Sequence, residues 1–185
     1  MGPNEEATPR AIPAVVLIHQ EGVIGLIALV GLSLRSDGLF VGLAARGPAA
    51  TAIFAGLGAG AMCAVIVWLL RRLPALAHLE EWQRHMVQGW SIIDVVAVAL
   101  FSGLAEEALI RALLQPVIGL FPAALLFAAL HLVPDRRLWL WPVVAFVVGV
   151  GLGKIFELGG YPAAAAAHIA INAFALIRLQ RAAVE

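Results

Sequence analysis

Long apolar runs alternate along this chain with short clusters of Arg, Gly and Pro, and that alternation sets out its elements before any chemistry is considered. After a polar, proline-punctuated lead-in over residues 1–12, a first apolar run covers residues 13–34, enough for the ~20 residues that cross a bilayer as helix. His19, Gln20 and Glu21 stand near its start and are expected at the membrane interface or against other helices. A second run over residues 49–70 is rich in Gly and Ala, with Gly56, Gly58 and Gly60 allowing close helix contact. Residues 74–90 change period. Leu79, Trp82, Met86 and Trp90 recur at spacings of three and four opposite Glu80, Glu81, Arg84, His85 and Gln88, which predicts an amphipathic interfacial helix. His78 and His85 belong to its solvated face.

Four further runs follow. The third spans residues 91–115, the fourth begins near Pro122 and reaches His131, the fifth covers 138–158 and the sixth 162–179. Pro122 suits a first helical turn. Gly149, Gly151 and Gly153 mark a second small-residue face, Lys154 and Glu157 can pair locally, and Gly159-Gly160 forms a turn. No strand pattern and no internal repeat is evident. The expected fold is all-α: a polytopic transmembrane bundle of about six membrane helices plus the interfacial one, in a single integral membrane domain over residues 1–185.

Composition agrees. The chain is 62% hydrophobic and only 13% charged, with mean hydropathy +0.96, too little polar surface for a water-facing globule. Its net charge of zero supplies no basic stripe for nucleic acid, and its one cysteine, Cys63, excludes an internal disulfide. No signal-peptide pattern is seen, since Glu5 and Glu6 stand where a basic region is expected. With six spans, Arg10, Arg71, Arg72, Arg84, Arg136, Arg137, Arg178 and Arg181 share the side of both termini, against Arg35, Arg46 and Lys154 opposite. The positive-inside rule then puts both termini in the cytoplasm, as expected for a bacterial inner-membrane protein.

Against this apolar background Glu106, Glu107 and Arg111 are costly, each charge requiring about 2.5–3.5 kcal/mol at a bilayer centre unless paired. Glu107 and Arg111 stand four apart and can neutralise each other, whereas Glu106 points about 100° away and needs another partner. Taken alone, the stretch also has a structural reading, a buried ion pair holding helices together. His131, His168 and Asn172 interrupt other spans, and each alone reads as an interhelical hydrogen-bonding group. Counted from their helix ends, however, Glu106, His131 and His168 share a depth of roughly 9–14 Å from one face. A glutamate and two histidines at one level support two chemistries. Glu106, His131 and His168 can form an open site for a divalent metal such as zinc, with water as fourth ligand. Alternatively, Glu106 acts directly as general base on water. In both, a histidine and the Asn172 amide can donate to the oxyanion of a tetrahedral intermediate, and the reaction class is peptide hydrolysis in or beside the membrane.

These residues resemble the CAAX-processing and bacteriocin-processing (CPBP, or Abi) family of intramembrane proteases, related to type II CAAX prenyl endopeptidases. The family motifs EExxxR, FxxxH and HxxxN/D read here as Glu106-Glu107 with Arg111, Phe127 with His131, and His168 with Asn172, over a core of about residues 91–179. The resemblance implies that Glu106 activates water with help from His131, that His168 and Asn172 stabilise the oxyanion, and that Glu107 and Arg111 hold the geometry. It leaves a metal requirement open. It also implies a membrane-anchored or lipid-modified protein substrate met in the bilayer. The arginine count puts the shared depth nearer the outer face, which suits a sorting-peptidase branch trimming C-terminal anchors. Two other readings are a non-proteolytic adaptor or immunity factor on the same scaffold, and a proton-coupled transporter, which would show repeated halves. For an outward-facing site, cysteines placed in loops 117–121 and 157–161 label from outside; labelling of both from the cytoplasm alone removes that orientation.

Overall fold

The computed structural model describes residues 11–71, 73–133, 135 and 138–184. Of the arginines that carry the orientation argument, Arg10, Arg72, Arg136 and Arg137 lie outside the described residues, as does Pro134. Helices dominate: α1 (Ala14–Ser33), α2 (Gly38–Gly42), α3 (Ala49–Leu70), α4 (Pro74–Met86), α5 (Ile92–Glu107), α6 (Gln115–Ile118), α7 (Leu120–Leu130), α8 (Leu140–Gly159) and α9 (Tyr161–Val184). A π-helical segment, Ala108–Leu114, joins α5 to α6 without a break. Among the described residues there is no strand, only an isolated bridge between Ala45 and Gly160.

The chain is an all-α polytopic membrane bundle. Among the described residues four helices are long and apolar enough to cross a bilayer: α1, α3, α8 and α9 over Tyr161–Ala182. Their outer faces leave large apolar side chains such as Leu26, Phe54 and Val147 exposed, as hydrocarbon rather than water would favour. The α5–π–α6 run carries the charged stretch through the middle of the bundle. The expected fourth span differs. α7 has 11 residues, about 16 Å of helix, roughly half a crossing. Gly119, at φ 85°, reverses the chain between α6 and α7. α7 then ends at Leu130, so His131 is its C-terminal cap and not a mid-helix residue.

Small residues set the closest helix contacts. Gly56 and Gly60 on α3 lie against the backbone of Ala163 and Ala167 on α9, with no room for a Cβ, while Gly58 faces open space. Gly149 and Gly153 on α8 similarly admit Phe127, Leu120 and Gln115, and Gly151 is free. The amphipathic α4 buries Leu76 and Leu79 with Leu138 and is tied to α9 by Glu80–Arg178 at 3.0 Å, so it is docked on the bundle. At its end Ser91 and Asp94 form a reciprocal cap that starts α5.

The connection after α1 braces one face. Arg35 pairs with Asp37 at 2.9 and 2.7 Å, which holds that exposed carboxyl below its usual range, and Arg35 Nη1 also donates to the Ala112 and Leu113 carbonyls. Arg46 donates to Glu157 O at 2.6 Å, Gln115 reaches Gly153 O and Glu157, and Lys154 pairs with Glu157 at 2.7 Å. The ends of α6 and α8 and the start of α9 therefore gather at one face, as the shared-depth argument requires.

Replacing Gly60 by Val forces the added methyls into the Ala167 backbone and is expected to lower stability by about 1–3 kcal/mol. Gly58→Val meets nothing and leaves unfolding in detergent unchanged.

Candidate active site

The site is built at the end of α5 and the start of the π segment, where α9 and α7 face it. A π turn widens the helix by one residue and is common where a helix must re-aim side chains. Here the widened turn carries Arg111, completely buried together with Glu107. Arg111 Nε donates to Glu107 Oε2 at 3.2 Å, and its guanidinium lies 5.1 Å from the centre of the Phe127 ring. Both remaining guanidinium nitrogens, Nη1 and Nη2, are buried without a hydrogen-bond partner among the described residues. The ring face of Phe127 is the neighbour that offsets this loss.

Glu107 does more than neutralise Arg111. Its other oxygen, Oε1, stands 2.9 Å from His168 Nδ1 on α9. Nδ1–H donates to that carboxylate, which fixes the ring orientation and presents Nε2 to the site. Phe127 packs on both histidines, its ring centre 5.6 Å from His168 and 4.7 Å from His131. His131 Nδ1 is 2.8 Å from Phe127 O, so its side chain caps a carbonyl left open at the end of α7. Trp141 flanks His131 at 6.0 Å and in turn meets Trp82 of α4 at 5.2 Å. One turn beyond His168, Asn172 donates from Nδ2 to Ser102 Oγ at 2.8 Å, leaving its second amide hydrogen free.

Glu106 is buried on the neighbouring side of α5, and its Oε2 accepts no hydrogen bond from any donor among the described residues. Its partners are Glu21 of α1, within hydrogen-bonding reach, and His168, which feels its charge. Glu21 is 6% exposed, while His19 and Gln20 beside it face outward. The structure thus divides the trio between the two expected settings, with Glu21 packed against other helices and His19 and Gln20 outward. A signal was present: Ala14, Ile18, Glu21, Gly25, Ala28 and Leu32 follow a heptad pattern, the spacing of a helix seam. Gly25 in that seam touches Ala105, next to Glu106. Ser102, Gln115 and the π turn were unanticipated.

Glu106, Glu107, Arg111, Phe127 and His168 form one contiguous cluster, to which His131 attaches through Phe127 and Asn172 through α9. The zinc set of Glu106, His131 and His168 is not assembled. Each imidazole is anchored through Nδ1 as a metal-bound histidine would be. Yet among the described residues no three His, Cys, Asp or Glu side chains are placed to share an ion. The physical reason is that His131 is held against its own helix end and Trp141, while Glu106 turns toward Glu21.

Comparison with known proteins adds one finding. A family model described as Rce1-like, type II CAAX prenyl endopeptidase, matches residues 88–174, which include every motif residue and exclude Glu21. No curated protein and no solved structure matches the chain.

Removing one member of the buried pair leaves an uncompensated charge. Arg111→Met is therefore expected to destabilise the fold by about 3–5 kcal/mol. The double change Glu107→Leu with Arg111→Met removes both charges and should recover most of that loss in a thermal unfolding assay. It should not recover any activity that needs an oriented His168, because the acceptor for Nδ1 is gone.

Proposed function

We propose that this integral membrane protein is an intramembrane endopeptidase in which Glu106 activates water, a reading supported by the match of residues 88–174 to the Rce1-like model of type II CAAX prenyl endopeptidases. The observation that carries the reading is the placement of a buried carboxyl, with one oxygen unsatisfied, beside a carboxylate-oriented histidine inside an apolar bundle. A polar group so placed is costly in hydrocarbon and is functional by default.

In this mechanism Glu106 takes a proton from water as the oxygen adds to the scissile carbonyl carbon. Burial excludes bulk water, so the general base and the nucleophile meet without competing solvent. Asn172 supplies its free amide hydrogen to the developing oxyanion, while Ser102 fixes the amide plane. His168, held by Glu107, presents Nε2 to the same region, and His131 assists from beyond Phe127. Arg111 positions Glu107. Every step here is assigned to side chains of this chain.

The substrate is a protein that reaches the site through the bilayer, cut near its C-terminus or membrane anchor, consistent with a role in sorting. The protein resides in a bacterial inner membrane with both termini in the cytoplasm. Glu106→Gln keeps the shape of the side chain and removes the base, so cleavage should fall by ~10²–10⁴-fold. Mass spectrometry of membrane-protein termini from cells with wild-type or Glu106→Gln protein reads this directly. Discrete trimming events vanish in the variant if the reading holds. Unchanged termini with a rescued deletion phenotype would favour the adaptor instead.

A further inference from the structure

Glu21 is the buried titratable group that the mechanism above leaves unused. It stands on the seam of α1 between Ala14 and Ala28, where a small or apolar residue would pack at less cost. No Lys or Arg of the described residues forms a salt bridge with Glu21 or Glu106; Arg111 is taken by Glu107, and Arg35 by Asp37. Oε2 of each carboxyl is buried and receives no hydrogen bond from any donor among the described residues, yet the two side chains are within hydrogen-bonding reach of each other. An ionised carboxylate only accepts hydrogen bonds, so two of them in this contact need a proton between them. The charged and titratable groups that act on the pair include His168, which interacts electrostatically with both carboxyls and is bonded to Glu107, itself paired with Arg111.

We propose that Glu21 is a catalytic residue of the hydrolysis, the acid partner of Glu106 in a two-carboxyl site. This rests on the reading of the protein as a Glu106-dependent protease. In the resting pair one proton lies on Glu21 and Glu106 is the base. Water adds to the carbonyl carbon, forming the C–O bond, and its proton passes to Glu106. The intermediate collapses with cleavage of the C–N bond as Glu21 delivers its proton to the departing amine. The pair ends with one proton, now on Glu106, and its transfer back to Glu21 restores the resting state. Two carboxyls in unequal surroundings can divide acid and base roles in this way. α1 thus contributes to the chemistry, although the family match begins at residue 88.

The test uses the full chain in native membranes, reading the rate of the terminal trimming events that Glu106→Gln abolishes. A second readout is the infrared carbonyl stretch of protonated carboxyls in the purified protein in lipid bilayers. Glu21→Gln should slow trimming at least tenfold with unchanged protein level and melting temperature. Glu21→Leu should be as slow while melting no lower than wild type. The protonated-carboxyl band should be altered by Glu21→Gln and by Glu106→Gln alike, since the two share one proton. Wild-type trimming in Glu21→Gln while Glu106→Gln is inactive would overturn the acid role and leave the protease reading intact. Losses of trimming and of folded protein in proportion across both Glu21 variants would reduce Glu21 to a structural residue and overturn it too. If Glu106→Gln itself trims normally, the protease reading fails and the acid role falls with it.

Discussion

The fully buried contact of Arg111 with Glu107 is the constraint on which the site depends. In an apolar bundle neither charge can be solvated, so each must keep the other, and the helix carrying both must hold them on one face. Because Glu107 spends its second oxygen on His168, the same ion pair fastens α9 to α5 and orients an imidazole. The widened turn at Ala108–Leu114 is part of this arrangement, with Arg35 satisfying two of its carbonyls from the connection after α1. A displaced Arg111 would therefore disturb the charge balance, the π turn and the histidine together.

Phe127 is the apolar counterpart of that pair. Its ring meets Arg111, His131 and His168, so one aromatic residue joins the helix that ends in mid-bundle to the two that cross it. Packing of α7 on α8 needs Gly149, and the approach of α3 to α9 needs Gly56 and Gly60. Between helices in lipid there is little hydrophobic driving force, since tails are as apolar as Leu. Close backbone contact and interhelical polar bonds supply the cohesion instead. The small residues thus bring polar side chains into register, and the polar side chains pin the register.

The carboxyls near His168 divide by environment. Glu107 is neutralised by Arg111 and engaged with His168, which leaves it occupied. Glu106 pairs with no Lys or Arg of the described residues and keeps one oxygen open among them, with Glu21 beside it. Adjacent residues on one helix thereby acquire different work, one holding the frame and the other free to exchange a proton.

Much of this was legible in the chain alone. Hydropathy identified the membrane class, because backbone groups in lipid can be satisfied only by helices or closed barrels. The four-residue spacings identified Glu107 with Arg111, Phe127 with His131, and His168 with Asn172 as same-face pairs, and small residues marked the helix contacts at Gly56 and Gly60. Those features follow from local periodicity and the solvent. What the tertiary structure decided is what each face meets. Membrane helices are apolar on every side, so the heptad spacing through Glu21 marks a seam on α1 without saying which helix that seam meets. The end of α7 at His131 and the π turn at Arg111 likewise depend on contacts between segments distant in sequence. Only the folded chain brings Glu21 to Glu106, because helix-to-helix packing, and not local pattern, determines which polar side chains share an interior.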